Sequence, residues 1–263
     1  MPVPIFGVSG DPTFHSRHNV LNPNYSGPTG ITSVVGQNLR DSFLKKDEFI
    51  RIPDFLPASI TNQLLEILPE VEPYVHRSYL PRHKSGGSVS RFNLEHCAPL
   101  FTEVYFSRSS LDLFSQITDK KLFTCPPNDA HAYALYLYTQ KGDHIGFHYD
   151  TSYYSEARYT ALIGLEDDSS CKLECELYTK MHGAKTVMES IKLMPGELVF
   201  FNGDKVRHRV TPSGANERRV ALTMEYVTST KMSPYLRFVS DMKDAIAYFG
   251  FAEVWKRLIR RKQ

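Results

Sequence analysis

The sequence predicts a mainly β protein whose central strands form a sandwich or barrel, with helices on its flanks. Fifteen tyrosines and sixteen phenylalanines stand against a single tryptophan. Such aromatic side chains suit the half-buried surface of a pleated sheet. From residue 131 onward, short β-prone segments separated by turns follow one another, a spacing typical of all-β architectures. Helical periodicity is confined to segments before and after this stretch.

The first half of the chain is expected to supply an irregular arm and a helical support region. Residues 1–45 are rich in Pro, Gly, Ser and Asn without sustained periodicity, which predicts an extended arm. A short strand is predicted at residues 49–56, and apolar spacing predicts helices at 59–69 and 109–117. The basic segment 77–93 contains Gly and Ser and is predicted to be a mobile loop.

The second half carries most of the predicted strands and ends in a helix. The strands are expected at residues 131–139, 158–165, 171–178, 197–201 and 219–227. Apolar residues at helical spacing predict an amphipathic helix over 241–261. We therefore expect one structural unit in three parts. These are an arm with helical support at 1–130, a β-core at 131–230, and a C-terminal helix at 231–263 that packs on the core.

Composition and charge favour no macromolecular partner. The formal net charge of the 263 residues is only +2, and the dense basic run at residues 256–262 is typical of a solvated helix end. No apolar segment approaches the ~20 residues of a membrane span, and the N-terminus has no signal-peptide pattern. The four cysteines suit a reducing compartment, and Cys171 and Cys175 lack the tight turn of a zinc-binding pair. We expect a cytoplasmic protein that binds neither nucleic acid nor membranes.

A candidate metal site centres on the segment from Gly146 to Asp150. Residues two apart in a strand project to the same face, so His148 and Asp150 offer an imidazole and a carboxylate side by side. A second histidine completes a 2-His-1-carboxylate triad with open positions for substrate and oxygen. The candidates for this third ligand are His131, His144, His182 and His208. His208 is favoured because the turn-strand-turn unit before it carries it back across a barrel.

A buried arginine is predicted beside the metal site. Alternation along the last predicted strand places four residues on one face: Arg219, Ala221, Thr223 and Glu225. A polar face on an otherwise buried strand indicates a cavity lining, and a guanidinium there can bind a dicarboxylate through two parallel hydrogen bonds. Arg218 falls on the opposite face, where a solvated role is expected.

Together, these residues resemble the iron(II)/2-oxoglutarate-dependent oxygenases, most closely their prolyl-hydroxylase-like branch. The resemblance covers about residues 131–227. It consists of four motifs: His148-x-Asp150, Pro195-Gly196 before an apolar strand, the run His208-Arg-Val-Thr-Pro, and Arg219-x-Ala-Leu-Thr. The resemblance implies a double-stranded β-helix core, which is a jelly-roll, cupin-like fold, with helices around it.

The resemblance also implies a set of cofactors and residue roles. Iron(II) is held by His148, Asp150 and His208. Arg219 pairs with the remote carboxylate of 2-oxoglutarate, and Tyr138 touches that cosubstrate. O2 is the second cosubstrate, and ascorbate is expected as a stimulant. Related halogenases replace the carboxylate ligand by a small residue, so the presence of Asp150 favours hydroxylation, desaturation or oxidative cyclisation.

The expected substrate follows from the elements predicted around the barrel mouth. The N-terminal arm, the basic loop and the C-terminal helix are expected to cover it, which favours a small molecule over a protein chain. Cations for a substrate carboxylate are offered by Arg158 on a predicted strand and by Arg77, Arg82 and Arg91. A free amino acid or related acid in specialised metabolism, as in natural product biosynthesis, is the leading expectation. The alternatives are a prolyl or lysyl hydroxylase acting on protein, and a non-catalytic metal- or ligand-binding barrel.

Overall fold

The computed structural model describes residues 33–244, and its centre is one curled sheet of twelve strands. The strands are β1 (Phe49–Ile52), β2 (His76–Leu80), β3 (Lys84–Ser90), β4 (Phe123–Thr124), β5 (Tyr133–Tyr138), β6 (His144–His148), β7 (Arg158–Asp168), β8 (Leu173–Leu177), β9 (Val187–Ile191), β10 (Leu198–Asn202), β11 (Arg207–Val210) and β12 (Arg218–Val227). Neighbouring strands pair in antiparallel fashion.

The strand order shows how the sheet curls. It runs β1-β10-β7-β12-β5-β3-β6-β11-β8-β9, with β2 paired to β3 and β4 paired to β12. The two ends of this path meet in one apolar interior, where Phe49 and Phe201 share a cluster with Leu177 and Ile191. The curled antiparallel sheet with flanking helices confirms the predicted double-stranded β-helix core.

Alternation along the strands separates two apolar cores. In β10, Leu198 and Phe200 belong to a core shared with the helices, whereas Val199 and Phe201 belong to the core inside the curl. β12 divides in the same way, and its helix-facing side chains are all apolar: Val220, Leu222, Met224 and Tyr226. Because successive strand residues point to opposite faces, the polar residues between them lie inside the curl.

Helices precede and follow the strands, and those in the first half of the chain pack on the outer face of the sheet. They are α1 (Ser33–Lys45), α2 (Ala58–Glu66), α3 (Leu68–Val71), α4 (Arg91–Cys97), α5 (Pro99–Tyr105), α6 (Arg108–Thr118) and α7 (Pro234–Asp244), with a 3₁₀ turn at Glu72–Tyr74. α6 begins after Ser107, whose hydroxyl accepts the Ser110 N–H, and its Phe114 stacks on Phe200 with ring centroids 4.5 Å apart. Burying an aromatic side chain contributes roughly 2–3 kcal/mol to folding, so Phe114 stabilises the packing of α6 on the outer face of the sheet. None of the helices within residues 33–244 is long and apolar enough to cross a membrane.

Several of the predicted elements are confirmed, and one stretch of the arm is corrected. β1, α2 and α6 confirm the strand and the two helices predicted in the first half of the chain. Residues 33–45 form α1 instead of an irregular arm, because Leu39 and Phe43 pack into the helix-side core. The rest of the predicted arm, residues 1–32, lies outside the described residues. So does the predicted tail helix beyond residue 244, while α7 begins earlier, at Pro234.

The segment 77–93 was predicted to be a mobile loop, and this prediction is wrong. It forms most of the β2–β3 hairpin and the start of α4, and β3 pairs with both β5 and β6. Glycines make this close pairing possible. A Cβ at Gly86 would lie 2.8 Å from a ring carbon of Tyr138, and one at Gly87 would lie 2.6 Å from Val75. The Gly and Ser content that suggests a loop is therefore required by close packing.

Candidate metal centre and its cavity

Two histidines face each other across neighbouring strands. His148 is the last residue of β6, His208 lies in β11, and the two are direct partners in the antiparallel register. Their ring centroids are 4.2 Å apart. The sheet thus brings together two imidazoles that are far apart in the sequence.

The outer faces of these strands explain why both imidazoles point into the curl. Phe147 lies between the guanidinium groups of Arg207 and Arg209, each 4.5 Å from its ring centroid. Each arginine also pairs with a carboxylate of β8 at 2.6 Å, Arg207 with Glu176 and Arg209 with Glu174. Since strand neighbours alternate, this outward ladder of side chains directs the two histidines inward.

Asp150 reaches the two imidazoles from a loop. β6 ends at His148, so the strand face predicted for both residues does not extend to Asp150. Two contacts place its carboxylate instead. The Thr160 hydroxyl donates a hydrogen bond to Oδ2 at 2.8 Å, and Gly203 permits a close approach, because a Cβ there would lie 2.6 Å from the Asp150 carbonyl oxygen.

The three side chains offer donor atoms that all lie within 4.8 Å of one another, the one such group found in residues 33–244. Nε2 of His148 is 3.6 Å from Oδ1 of Asp150, and Nε2 of His208 is 3.5 Å from Oδ2. These separations are at or beyond the limit of a hydrogen bond. Ligand atoms that each lie ~2.1 Å from one metal ion are themselves roughly 3–3.5 Å apart. Two imidazoles and a carboxylate suit non-heme iron(II).

Backbone contacts at Nδ1 leave Nε2 of both imidazoles available to a metal ion. Nδ1 of His148 lies 2.8 Å from the carbonyl oxygen of Gly146, and Nδ1 of His208 lies 3.3 Å from that of Val206. An Nδ1–H that donates to a carbonyl selects the tautomer with an unprotonated Nε2. Burial, reinforced by the neighbouring imidazole, lowers the pKa of His148 to about 3, so this ligand is neutral at physiological pH.

The carboxylate ligand is held in its charged form. Burial alone raises the pKa of Asp150, but His208, His148 and Arg158 together outweigh that effect. The hydrogen bond from Thr160 acts in the same direction. The pKa of Asp150 therefore lies well below its usual range, and a charged ligand is ready for a divalent cation.

A cavity opens beside the three donor atoms and extends along the inner face of β12. Its walls come from both sides of the curl and are lined by His131, Tyr136, Tyr138, Ile145, His148, Asp150, Leu162, Leu173, His208, Val210, Arg219, Ala221, Thr223 and Glu225. Apolar and polar side chains both line the cavity, and the metal-ligand group forms one of its polar regions.

Arg219 and Tyr138 form a second polar region of the cavity. They are cross-strand partners on β12 and β5, and the guanidinium carbon lies 5.5 Å from the Tyr138 ring centroid. Arg219 is only 3% exposed, and no described residue forms an ion pair or hydrogen bond with its guanidinium. A buried charge without a counterion is costly, so this region fits a carboxylate ligand such as 2-oxoglutarate.

Comparisons with known proteins identify solved structures with a similar architecture. Neither protein-family models nor curated protein sequences match the chain. Its structure is similar to the epimerase SnoN in complex with Fe3+, α-ketoglutarate and nogalamycin RO, with a TM-score of 0.62, 12% identity and coverage of 76% of this chain and 86% of that one. It is also similar to a Trichoplax adhaerens prolyl hydroxylase in complex with a hypoxia inducible factor peptide fragment, with a TM-score of 0.57, 16% identity and coverage of 78% and 94%.

A third similar structure is HygX from Streptomyces hygroscopicus with nickel, 2-oxoglutarate and hygromycin B bound. Its TM-score is 0.54 at 12% identity, with coverage of 73% of this chain and 87% of that one. The chain has the fold of the 2-oxoglutarate-dependent oxygenases. At these identities the likeness is one of fold, and it confirms the predicted resemblance at that level. The roles of individual residues in this oxygenase fold rest on the geometry of the site.

A third polar region of the oxygenase-fold cavity is built around a buried carboxylate. Glu225 is 1% exposed, and its Oε2 accepts a hydrogen bond from Nε of Arg158 at 2.8 Å and lies 3.1 Å from the Thr160 hydroxyl. Burial raises the pKa of Glu225 to about 7, although Arg158 opposes the shift. Thr160 therefore stands between the carboxylates of Asp150 and Glu225, and its one hydroxyl proton serves a single carboxylate at a time.

Three of the four arginines predicted to bind a substrate carboxylate have protein partners in the structure. Arg158 is paired with Glu225 and does not line the cavity, so its role in substrate binding stays a prediction. Arg77 and Arg91 also pair with carboxylates, at 2.5 and 2.7 Å. Arg218 is partly exposed and paired with glutamates outside the cavity, in keeping with the role expected for it.

The other histidines considered for the third ligand do not join the group. His131 lines the cavity, but its Nε2 lies 2.7 Å from the hydroxyl of Tyr136. Nδ1 of His144 lies 2.7 Å from the carbonyl oxygen of Gly142, and His182 is exposed. The four cysteines are free thiols and belong to no metal-ligand group within the described part of the chain.

Thr160 and Gly203 shape the site but were missed in the sequence. A signal existed for Thr160, since alternation along β7 puts it on the same face as Arg158 and Leu162. No local pattern pairs Gly203 with Asp150, because the contact joins two separate segments. Tyr136 also lines the cavity.

Proposed function

We propose that this protein is an iron(II)- and 2-oxoglutarate-dependent oxygenase that oxidises an unactivated C–H bond of a small molecule. The proposal is carried by the convergence of His148, Asp150 and His208 on a cavity that also contains the buried Arg219 guanidinium. The fold supports it, because neighbours such as SnoN are α-ketoglutarate-dependent, non-heme proteins.

The three metal ligands and Arg219 each have a defined role in this proposal. His148, Asp150 and His208 hold iron(II) through two neutral imidazoles and one carboxylate. Arg219 binds the remote carboxylate of 2-oxoglutarate through two parallel hydrogen bonds, beside the Tyr138 ring. Bound iron and 2-oxoglutarate, with O2, supply the oxidising chemistry and leave succinate and carbon dioxide as products. The apolar cavity walls exclude water from the reacting groups.

A free amino acid or a related acid of specialised metabolism is the substrate class we propose, oxidised by hydroxylation, desaturation or oxidative cyclisation. The cavity lies inside the curl, and the turn of the β2–β3 hairpin lies beside it, with the His83 and His148 ring centroids 6.2 Å apart. A cavity inside the sheet with a hairpin turn beside it suits a small molecule. SnoN and HygX were solved with nogalamycin RO and hygromycin B, respectively.

The deciding experiment is a succinate-release screen with purified, iron-loaded protein, 2-oxoglutarate and ascorbate across the free amino acids. We expect succinate release above the substrate-free rate with at least one of them. His208→Ala removes a ligand and should abolish that release. His144→Ala is the matched control, because His144 lies on the same sheet but outside the metal-ligand group. Full activity of His208→Ala would overturn the proposed site.

A prolyl or lysyl hydroxylase acting on protein is the second candidate. The observation that favours it is the similarity to the Trichoplax adhaerens prolyl hydroxylase with its bound peptide fragment. Succinate release stimulated by proline- or lysine-containing peptides, but by no free amino acid, would select this candidate. Absence of succinate with every compound, despite bound metal, would instead select a non-catalytic metal- or ligand-binding barrel.

A further inference from the structure

The cavity contains a polar end that neither the metal nor the proposed cosubstrate uses. Arg219 and Glu225 both face inward from β12 and are about 20 Å apart along an extended strand of ~3.3 Å per residue. Arg219 is assigned to 2-oxoglutarate. Glu225 lies towards the other end, and the Thr160 hydroxyl is 2.8 Å from the carboxylate of Asp150 and 3.1 Å from that of Glu225. This end of the cavity is therefore close to the metal ligands and remains for the substrate.

One oxygen of Glu225 is left without a protein partner. Oε2 is occupied by Arg158 and Thr160, whereas Oε1 forms no hydrogen bond with any residue in the described part of the chain. The Glu225 side chain is 2% exposed, and the residue lines the cavity. Oε1 is not among the fully buried atoms without a partner, so it is accessible from the cavity, and a ligand donor there can form the hydrogen bond that the protein does not supply.

The charges around Glu225 favour a cationic ligand. Arg158 interacts electrostatically with three carboxylates, those of Glu225, Asp150 and Asp129. These carboxylates raise the pKa of Arg158 well above its usual value, although burial opposes the shift. Iron(II) at the metal-ligand group offsets the charge of Asp150. One guanidinium then remains for the carboxyl groups of Glu225 and Asp129, so this end has no surplus of positive charge and can accept a cationic group. Lys84, a buried cation of β3, does not line the cavity.

We propose that Oε1 of Glu225 binds a protonated amine of the substrate and thereby selects the C–H bond that faces the metal ligands. This inference rests on the proposed function and narrows its substrate class to amine-bearing small molecules, such as free α-amino acids. A hydrogen bond from an ammonium group to a carboxylate is charge-assisted and satisfies Oε1. Because a single hydroxyl group separates Glu225 from Asp150, the amine and the oxidised carbon are within a few bonds of each other.

The test compares the binding of two matched sets of ligands to the wild-type protein and to two variants. Protein loaded with Ni(II) in place of iron, together with 2-oxoglutarate, is titrated with the free α-amino acids and with 2-hydroxy acids of the same side chains, in which a hydroxyl replaces the amine. Glu225→Gln keeps an acceptor for Arg158 and the size of the side chain but removes the charge. Glu197→Gln is the control, since Glu197 is also buried and paired with an arginine but lies outside the cavity. Binding is followed calorimetrically and by melting temperature.

We expect at least one amino acid to bind, and its 2-hydroxy analogue to bind at least about 10-fold more weakly. Glu225→Gln should weaken amino-acid binding by about 10- to 100-fold while Ni(II) and 2-oxoglutarate still bind, and Glu197→Gln should leave amino-acid binding within about 3-fold. Equal binding of the two ligand sets, unchanged amino-acid binding in Glu225→Gln, or no amino-acid binding at all overturns the assignment of Glu225. Failure of Ni(II) and 2-oxoglutarate to bind the wild-type protein would instead overturn the proposed function.

Discussion

Replacing Thr160 by valine removes one hydroxyl group from behind the candidate metal centre while keeping the shape of the side chain. In the wild-type protein, this hydroxyl donates to Oδ2 of Asp150 at 2.8 Å from a residue that is 0% exposed. A valine methyl group cannot donate this hydrogen bond, so Oδ2 of Asp150 loses its hydroxyl donor. We therefore expect Thr160→Val to fold but to bind a divalent metal ion more weakly.

The size of the effect can be worked out in two independent ways. A hydrogen bond to a charged group contributes about 1.5–3 kcal/mol, and this one is short and part-buried. Loss of a group that orients a metal ligand typically lowers metal affinity by about 10- to 100-fold, which corresponds to roughly 1.4–2.7 kcal/mol. The two ranges overlap. We expect the Kd for the metal ion to rise by about 10- to 100-fold.

The assay is calorimetric titration of Ni(II) into metal-free wild-type protein, Thr160→Val and a matched control, Thr223→Val. Thr223 is also buried and lines the same cavity, but its hydroxyl forms no hydrogen bond with Asp150. Melting of each metal-free variant confirms folding before the titration. The control should bind Ni(II) with an affinity within about 3-fold of the wild-type value, because it removes a hydroxyl without touching the ligand.

Two outcomes would refute this reasoning. If Thr160→Val binds Ni(II) as tightly as the wild type, the hydroxyl does not orient Asp150. If Thr223→Val weakens binding as much as Thr160→Val, the effect comes from cavity polarity in general. In either case the placement of Asp150 would have to be attributed to the close backbone approach at Gly203 alone.

Three further predictions concern the same cavity. His208→Ala deletes a ligand, so its Ni(II) affinity measured by titration should fall by more than the roughly 100-fold limit for a supporting hydrogen bond. Arg219→Ala should raise the KM for 2-oxoglutarate by about 30-fold or more with little change in metal affinity, whereas Arg218→Ala, paired outside the cavity, should leave that KM unchanged. Burial lowers the pKa of His148 to about 3 from its usual 6.5, so the unfolded chain takes up a proton before the folded one does as pH falls. The metal-free protein should therefore lose up to about 1.4 kcal/mol of stability per pH unit below about pH 6.5 through this group, and urea unfolding of His148→Gln should show a correspondingly shallower pH dependence.

Alternation and residue chemistry made much of the fold and of the donor set predictable. The strand at β12 was predictable because its apolar and polar residues alternate, and the same alternation placed Arg219 and Glu225 on the inner face. β3 was not predictable, because Gly86 and Gly87 are typical of a loop unless Tyr138 is known to pack against them. The propensity of a glycine carries no information about which ring will approach it.

The candidate metal centre was also predictable only in part. His148 and Asp150 were recognisable as adjacent donors, and His208 was preferred over three other histidines. However, Asp150 is placed from a loop by Thr160 and Gly203, not by the strand pleat that suggested it. Asp150 was therefore predicted as a donor from strand alternation, whereas in the structure a loop places its carboxylate beside the imidazoles.

By itself, the sequence determined which chemical groups are available and which face of each strand they occupy, because side-chain type and a two-residue period are local properties. Only the tertiary structure decided which groups meet. The register of β6 and β11 brings the two imidazoles to 4.2 Å, and the curl places Arg158 against Glu225 instead of in the cavity. These contacts join residues that are distant in the chain, and their geometry depends on the free energy of the whole packed sheet. No window of neighbouring residues contains that information.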